Sequence, residues 1–306
     1  MIAPSTFGTA LGKAVLALSA TFIGASAVKA ETAVRFAAHY VLTMTHVTVG
    51  EITWSANFSE ATYLSSAVGK ASGVLSVLVK GEGSLTTRGA FNAGKLSPAT
   101  SRFNVDDDDG VYEVEMTFDD GVFKRVTDHG TAPPADRIPV PAKLLHDVID
   151  PLSAFMMPFE GKALDPANCD RTLNIFDGRR RYDLTLTYKR TDTIKLARGH
   201  PGPALVCGVV LHPLAGYRPD SLLVRYLAGK NDLELWLAPI AGLSIVAPVR
   251  ALMPTLVGTM EISADEFAAR RLEPAQVAPA RPVEAAPLAP LKPSPVEAAP
   301  LAPPKQ

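Results

Sequence analysis

The chain is 306 residues long, with 30 basic and 31 acidic residues, six histidines, two cysteines and a formal net charge of −1. Balanced charge, without a basic stripe of interleaved aromatics, argues against nucleic acid as a partner. Beyond the N-terminal segment no apolar run reaches the roughly eighteen residues of a transmembrane helix, so no membrane span is expected.

Residues 1–30 read as a secretory signal peptide. Lys13 precedes an apolar run over 14–27, and Val28-Lys29-Ala30 places small or light residues at the −3 and −1 positions of a cut after Ala30. The run is too short to cross a bilayer. A mature chain beginning near Glu31, in the oxidising periplasm, is the expectation, and it makes both cysteines disulfide candidates. No Cys follows the signal, which argues against a lipoprotein.

A β domain over residues 31–272 comes next, and its dominant period is two. In 111–118, Tyr112, Val114, Met116 and Phe118 share one face, and Glu113, Glu115 and Thr117 the other: a half-buried strand. In 181–188, Tyr182, Leu184, Leu186 and Tyr188 are expected inside, with Arg181, Asp183, Thr185 and Thr187 outside. Phe36, Ala38, Tyr40 and Leu42 alternate more loosely, and Leu233, Leu235 and Leu237 line a strand whose other face carries Trp236. Strands are predicted near 35–43, 50–58, 62–71, 82–91, 99–105, 111–118, 121–127, 171–176, 180–189, 204–212, 222–227, 232–238, 244–251 and 255–262, of which eleven or twelve are expected to form.

Asp109-Gly110, Asp120-Gly121 and Asp177-Gly178 have hairpin chemistry, because Asp-Gly takes positive φ readily and suits the twist of paired strands. Further turns are expected at Val49-Gly50, Gly81, Gly94 and Pro254. Asp150 followed by Pro151 is an N-cap and first-turn pair that opens a helix over 150–157. A separate short helix is expected within 141–149, a helix or buried strand over 72–79, and a closing helix over 264–272. No strand–helix alternation appears, which disfavours a parallel sheet.

The tail, residues 273–306, is not globular. The unit PVEAAPLAP occurs twice with a period of 13. Proline this dense favours polyproline II and forms no core. The tail reads as a disordered spacer or as a ligand for an envelope partner.

Candidate sites are sparse. Cys169 and Cys207 form an even count in an exported chain and are expected to pair. His39, His46, His129, His146, His200 and His212 show no HxH, HExxH or HxxxH spacing, so zinc chemistry has no local signature. Asp106 to Asp109 reads as a solvated hairpin tip rather than a calcium loop. GxSxG is missing, and Gly81-Glu-Gly83 is too short for a phosphate loop. Arg179, Arg180 and Arg181 could meet an anionic head group or a sugar acid, but they read as a turn whose arginines stay wet.

Taken together, Asp150-Pro-Leu-Ser-Ala-Phe155, Phe176-Asp-Gly-Arg-Arg-Arg-Tyr182, Cys207 with His212-Pro-Leu-Ala-Gly-Tyr217, and Leu235-Trp-Leu-Ala-Pro239 resemble the bacterial family known as domain of unknown function 3108, from about Arg35 to Ile262. The resemblance implies an exported, antiparallel β protein of Gram-negative bacteria with no assigned reaction. Its architecture is similar to the open, half-wrapped barrels of periplasmic lipoprotein carriers, by analogy of fold only.

The expected fold is therefore all-β: one antiparallel curved sheet, barrel-like or spiral, with one or two short helices, one of them plugging its concave side. The expected function is a non-enzymatic cell-envelope protein that needs no cofactor or metal. It would bind an apolar or amphipathic ligand, such as a lipid, or an envelope partner. Phe155, Met156, Met157 and Trp236 are the candidate ligand-binding residues. The rivals are a hydrolase of envelope polymers, with acids brought together from distant strands, and a purely structural envelope protein with a filled core.

Overall fold

The structure, a computed structural model, describes residues 33–72, 81–92, 94–107, 110–198, 202–230 and 232–272. The signal, the tail, the segment expected as helix or strand over 72–79 (all but Ser72) and the acidic pair at 108–109 lie outside them.

Fourteen strands form among the described residues. They are β1 (Ala33–Met44), β2 (Val47–Phe58), β3 (Thr62–Ala71), β4 (Gly81–Asn92), β5 (Lys95–Asp107), β6 (Gly110–Asp119), β7 (Val122–Gly130), β8 (Met157–Pro158), β9 (Arg171–Phe176), β10 (Arg181–Ile194), β11 (Gly202–Ala215), β12 (Leu233–Pro239), β13 (Ile245–Thr255) and β14 (Gly258–Leu272). They pair antiparallel in one sheet, in the order 7-6-5-4-3-2-1-14-13-12-11-10-9, with β8 beside β13. Two meanders are thus joined through β1 and β14. The sheet curls without closing, and it leaves β7 and β9 as edges.

Period-two patterning holds where one face is wet. In β6, Tyr112, Val114, Met116 and Phe118 are buried while Val111 and Asp119 are exposed. In β1, Val34, Phe36, Ala38 and Tyr40 point inward. The curl brings them against Trp54, Phe58, Val206, Trp236 and Val249 in the main core. Phe36 meets the rings of Trp54 and Phe267 edge-on at 5.2 and 4.9 Å, a geometry that satisfies the ring quadrupoles. Alternation gives way in β11 and β12, which are buried on both faces. Val206 and Trp236 enter the main core, while Leu205, Cys207, Leu235 and Leu237 enter a second core on the other face. In β10 the pattern fails at Arg181, which is buried, and at Tyr188, which is exposed beside a bulge at mid-strand. Tyr188 lies past Leu186, the last residue of that face inside the second core.

Several expectations are corrected. Residues 222–227 form helix α2 (Leu222–Leu227) instead of a strand, because Ser221 Oγ accepts the N–H of Val224 and caps it. Residues 264–272 continue β14 instead of forming a helix. Their Ala-Glu-Arg composition favours a helix, but β1 offers unpaired backbone from Ala33 to His39, and pairing it satisfies both strands. The first hairpin turns at Thr45-His46, both at positive φ, four residues before the expected Val49-Gly50; Gly50 faces Leu42 at a bulge inside β2. Pro254 stays in β13. The segment 141–149 contains only a 3-10 turn, Ala142–Leu144.

The connection from β7 to β9, residues 131–170, joins the two edges and covers part of both faces. Ile149 pairs with the β9 edge, its N–H on Asn174 O and its carbonyl on Phe176 N. Asp150 then caps helix α1 (Pro151–Phe155), with Pro151 at the first helical position, as expected. This helix ends at Phe155, and Met157 enters β8. It packs against β3, β4 and β9, and Leu152 and Met156 enter the main core.

Asp150 is fully buried because β3, β4 and β5 present a row of small hydroxyls there. Ser65, Thr87 and Ser101 are cross-strand neighbours, each with no exposed surface. Thr87 Oγ1 donates to Asp150 at 2.7 Å, the N–H of Ser153 donates at 3.1 Å, and Tyr63 Oη lies 2.7 Å from Ser153 Oγ. Buried polar groups persist only when they are bonded in this way.

Further along, the 3-10 turn Pro166–Cys169 is locked to β11 by the disulfide Cys169–Cys207. The bridged positions are 38 residues apart, so closure removes about 4 kcal/mol of unfolded-chain entropy in the loop model. Replacing both cysteines by alanine is expected to lower unfolding free energy by about 2–5 kcal/mol. Thiol labelling of the unreduced, denatured wild type should find no free thiol. Equal stability of the two proteins would mean that packing alone holds the segment.

Burial raises the Asp150 pKa above its ordinary 3.8, against the hydrogen bonds of Ser153 and Thr87. The folded state therefore holds this proton more tightly than the unfolded chain. Its contribution is most favourable below the unfolded value and is lost as pH rises through the raised one. Asp150→Asn keeps a capping oxygen and removes the titration. Its stability relative to wild type should grow as pH rises through that window, measured by denaturant unfolding. Asp150→Ala should cost about 1–3 kcal/mol. Parallel pH curves for the Asn variant and wild type would refute the burial argument.

Candidate functional site

The arginine turn is the first surprise. Arg179 and Arg181 are 7% and 5% exposed, so the expectation that these arginines stay wet is wrong. Asp177 Oδ1 accepts the N–H of Arg179 and of Arg180 at 2.9 and 2.6 Å, which shapes the turn. Gly178, at φ +94°, sits where a Cβ would fall 2.1 Å from Val114 of β6. Arg179 donates to both carboxylate oxygens of Asp128 at 2.8 and 2.6 Å, donates to Thr131 O at 2.7 Å, and lies 3.5 Å from the centre of the Tyr112 ring. Arg181 donates to Leu144 O and Tyr182 O and pairs with Asp183. Such forked contacts suit a planar guanidinium and join the β9–β10 turn to β6, β7 and the connection. Phe123 and Phe176 meet edge-on at 5.5 Å across the same seam.

Two motifs of the sequence converge here. Gly216, at φ +85°, approaches Arg179 O so closely that a Cβ would fall 2.0 Å from it. Its N–H donates to Ile138 O at 2.7 Å, and Ile138 N–H donates to Tyr217 O at 2.9 Å. This docks the connection beside the end of β11. The result is a cleft of about 250 Å³ lined by Arg137, Arg180, Gly216, Tyr217, Arg218, Ser221 and Val224. Asp177 stands 3.5 Å from Arg180, and Asp136 stands 3.3 Å from Arg218. Burial opposes the charge of Arg180, but Asp177 and the phenols of Tyr112 and Tyr217 outweigh it and hold its pKa above the ordinary range. Burial also raises the Tyr217 pKa. Ile138, Leu214, Leu222 and Leu223, close in sequence to lining residues of the cleft, are exposed.

A second concavity opens at the other end of β11. Ile194, Leu196, Pro203, Ala238, Val249 and Phe267, with Gly202 and Pro239, line an apolar recess of about 180 Å³. Its walls are continuous with the main core, to which Ile194 and Val249 belong. One rim is strapped to β14 by Arg198, whose N–H donates to Asp265 O at 2.7 Å and whose guanidinium reaches the Asp265 carboxylate at 3.1 and 3.2 Å.

None of the four expected ligand residues lines either concavity. Met156 and Trp236 lie in the main core, Met157 in the second, and Phe155 packs against both. Trp236 has Arg190 and Arg250 over its ring at 5.4 and 4.9 Å, and its Nε1 donates to Asp192 at 3.4 Å. Sequence reasoning missed the recess. Ile194 and Leu196 lie past a bulge at Lys189 that turns the even positions of β10 from the second core toward the main one, so the period read up to 189 does not reach them; Phe267 was hidden in the expected helix. Arg137 and Arg218 have no local signal for their meeting, because only the seam brings them together. His39 sits between Asp265 at 2.7 Å and Glu51 at 3.6 Å on the sheet surface. Among the described residues no group of three or more His, Cys, Asp or Glu side chains could hold a metal ion, and no helix is long and apolar enough to cross a membrane.

No curated protein matches the chain. Among solved structures it is similar to a beta-barrel-like protein of domain of unknown function DUF1849 from Brucella abortus, with a TM-score of 0.41 and 12% identity, over 78% of this chain and 98% of that one. That likeness is too distant to carry an argument. The family described as protein of unknown function, DUF3108, matches residues 35–265. This span runs from β1 into β14 and contains the arginine turn, both cysteines, the Asp150 cap and every residue lining the seam cleft. The chain belongs to the DUF3108 family.

Proposed function

We propose that the protein is an exported, non-enzymatic binding protein of the cell envelope that holds an apolar group of an amphipathic ligand or partner. The observation that carries this reading is the recess bounded by Ile194, Leu196, Pro203, Ala238, Val249 and Phe267. The interior of the curl is filled by its own side chains, from Phe36 to Trp236. A filled interior equally suits a purely structural role, and an apolar opening into that core is what favours binding. Its size sets the ligand: a dry cavity of about 150 Å³ takes benzene, so this one takes a ring or the end of an acyl chain, not a whole lipid. The rival reading, a hydrolase of envelope polymers, calls for two carboxylates flanking a bond. The residues lining the recess are apolar, and the charged residues lining the seam cleft are cationic. The export signal in residues 1–30 supports a periplasmic setting, and the proline-rich tail would then serve as a spacer toward a partner.

The test is titration of the purified protein with n-octyl glucoside below its micelle concentration, followed by tryptophan fluorescence and native mass spectrometry. Saturable binding is expected, and Ala238→Phe should abolish it by filling the recess while leaving the circular dichroism β-rich. Absence of binding, or equal binding by the filled variant, would overturn the reading.

A further inference from the structure

We propose that the adjoining hairpin tips of β1–β2 and β13–β14 form an apolar docking surface that inserts into the hydrocarbon boundary of a neutral lipid surface. The two tips are neighbours. Thr45 N–H donates to Thr259 O at 3.0 Å, and Thr255 Oγ1 lies 3.7 Å from Met44 Sδ. Val47, Met44, Met260 and Met253 stand directly opposite one another across β2, β1, β14 and β13. Residues opposed in this way share a face, so four apolar side chains form one row. Beyond the row, Leu256 and Val257 of the β13–β14 turn are 56% and 77% exposed, and Val47 is 53% exposed. None of these residues lines the recess or the seam cleft.

Turns that face water are built mostly from Gly, Pro, Asn, Asp and Ser. Here residues 40–50 and 251–260 contain no Asp, Glu, Lys or Arg, and the one side chain in either turn that can carry a charge is His46. Charge resumes behind the tips, in the pairs Glu51–Lys70 and Arg250–Glu261, each at 2.8 Å. The β13–β14 turn also satisfies its own backbone. Thr255 Oγ1 donates to Gly258 O at 2.7 Å and accepts the N–H of Val257 at 3.3 Å. Backbone that enters hydrocarbon must be bonded internally, because no water is there to take the bond.

The neighbouring chain indicates what covers this surface. The connection from β3 to β4 leaves from the same end of the sheet, where Ser72 N–H donates to Val49 O at 2.9 Å, and it returns at Gly81. The residues between, 73–80, read Gly-Val-Leu-Ser-Val-Leu-Val-Lys, with no charge before Lys80. Strands β4, β3, β2, β1, β14 and β13 are consecutive in the sheet, so three adjacent connections at one end carry apolar, uncharged sequence. A protruding edge of this kind gives a protein partner no charge pattern to select it. A fluid apolar phase needs none. From Met253 to Leu256 the hairpin extends about 10 Å at some 3.3 Å per residue, comparable to the roughly 5–10 Å that apolar anchors reach below a lipid surface.

The experiment uses the full mature chain from Glu31, because an apolar leader would bind lipid by itself. Co-sedimentation with neutral phosphatidylcholine vesicles is measured at low and high salt, with analytical ultracentrifugation in the absence of lipid. The wild type should bind, and salt should not weaken it, since no charge is engaged. Leu256→Asp with Val257→Asp should weaken binding by about tenfold or more, because burial of these two side chains drives insertion. Val122→Asp changes an exposed valine in the β6–β7 turn, at the other end of the strands, and should bind as wild type does. Ala238→Phe, which fills the recess, should also bind as wild type does, so the tips and the recess are tested apart. Val257→Trp adds a readout that does not depend on loss. Trp54 and Trp236 are buried, so a new blue shift on adding vesicles, quenched by brominated phosphatidylcholine, reports the tip. Loss in the aspartate variant, retention in both controls and the blue shift support the proposal. Absence of wild-type binding, binding removed by salt, equal binding by the aspartate variant, loss in either control, or a tip tryptophan that stays in water on bound vesicles overturns it. Self-association abolished by the aspartate variant, without vesicle binding, overturns the lipid and assigns the tips to a second copy of the chain.

Discussion

A curled sheet of antiparallel meanders that does not close has two edges, and the rest of this structure depends on how those edges are managed. Unpaired strand backbone invites pairing with other chains. Here the chain leaves one edge, β7, and returns at the other, β9, so the connection must pass between them. It pairs Ile149 with β9, hooks Asp150 under β4 through Thr87, and sends α1 against the inner face of β3 and β4. The hydroxyl row of Ser65, Thr87 and Ser101 is what makes a buried carboxyl tolerable there. An apolar side chain in place of Thr87 would leave Asp150 with partners from its own helix start alone.

The same connection explains why the two halves of the sheet have different textures. Strands β1 and β6 have one covered face and alternate cleanly. Strands β11 and β12 lie between the main core and the second core that the connection builds with Phe155, Phe159 and Leu164, so both their faces are apolar. The disulfide secures this outer layer to β11 at a 3-10 turn. The arginine turn performs the corresponding task at the seam: Arg179 crosses to Asp128 and Tyr112, and Gly216 lets the end of β11 come against its backbone. Folding and site formation are therefore one event, since the contacts that hold the edges together also place Arg137, Arg180 and Arg218 around one cleft.

Local sequence determined a great deal about this protein. The all-β class, the Asp-Gly turn at Asp120-Gly121, the inward faces of β1 and β6, the Asp150-Pro151 helix start and the pairing of the only two cysteines were all legible, because each rests on chemistry within a few residues or on a count. The tertiary structure decided what local chemistry could not. Whether 264–272 is helix or strand depends on an open edge of β1 more than 200 residues away. The helix at 222–227, by contrast, rests on local chemistry, the cap of Ser221 on Val224, which its expected reading as a strand passed over. Whether three adjacent arginines are wet or buried depends on Asp128, Tyr112 and Leu144, which arrive from other elements. Both concavities belong to this second class: one opens where strand ends fail to fill the core, and the other where two sheet edges meet. Neither place exists until the sheet has curled.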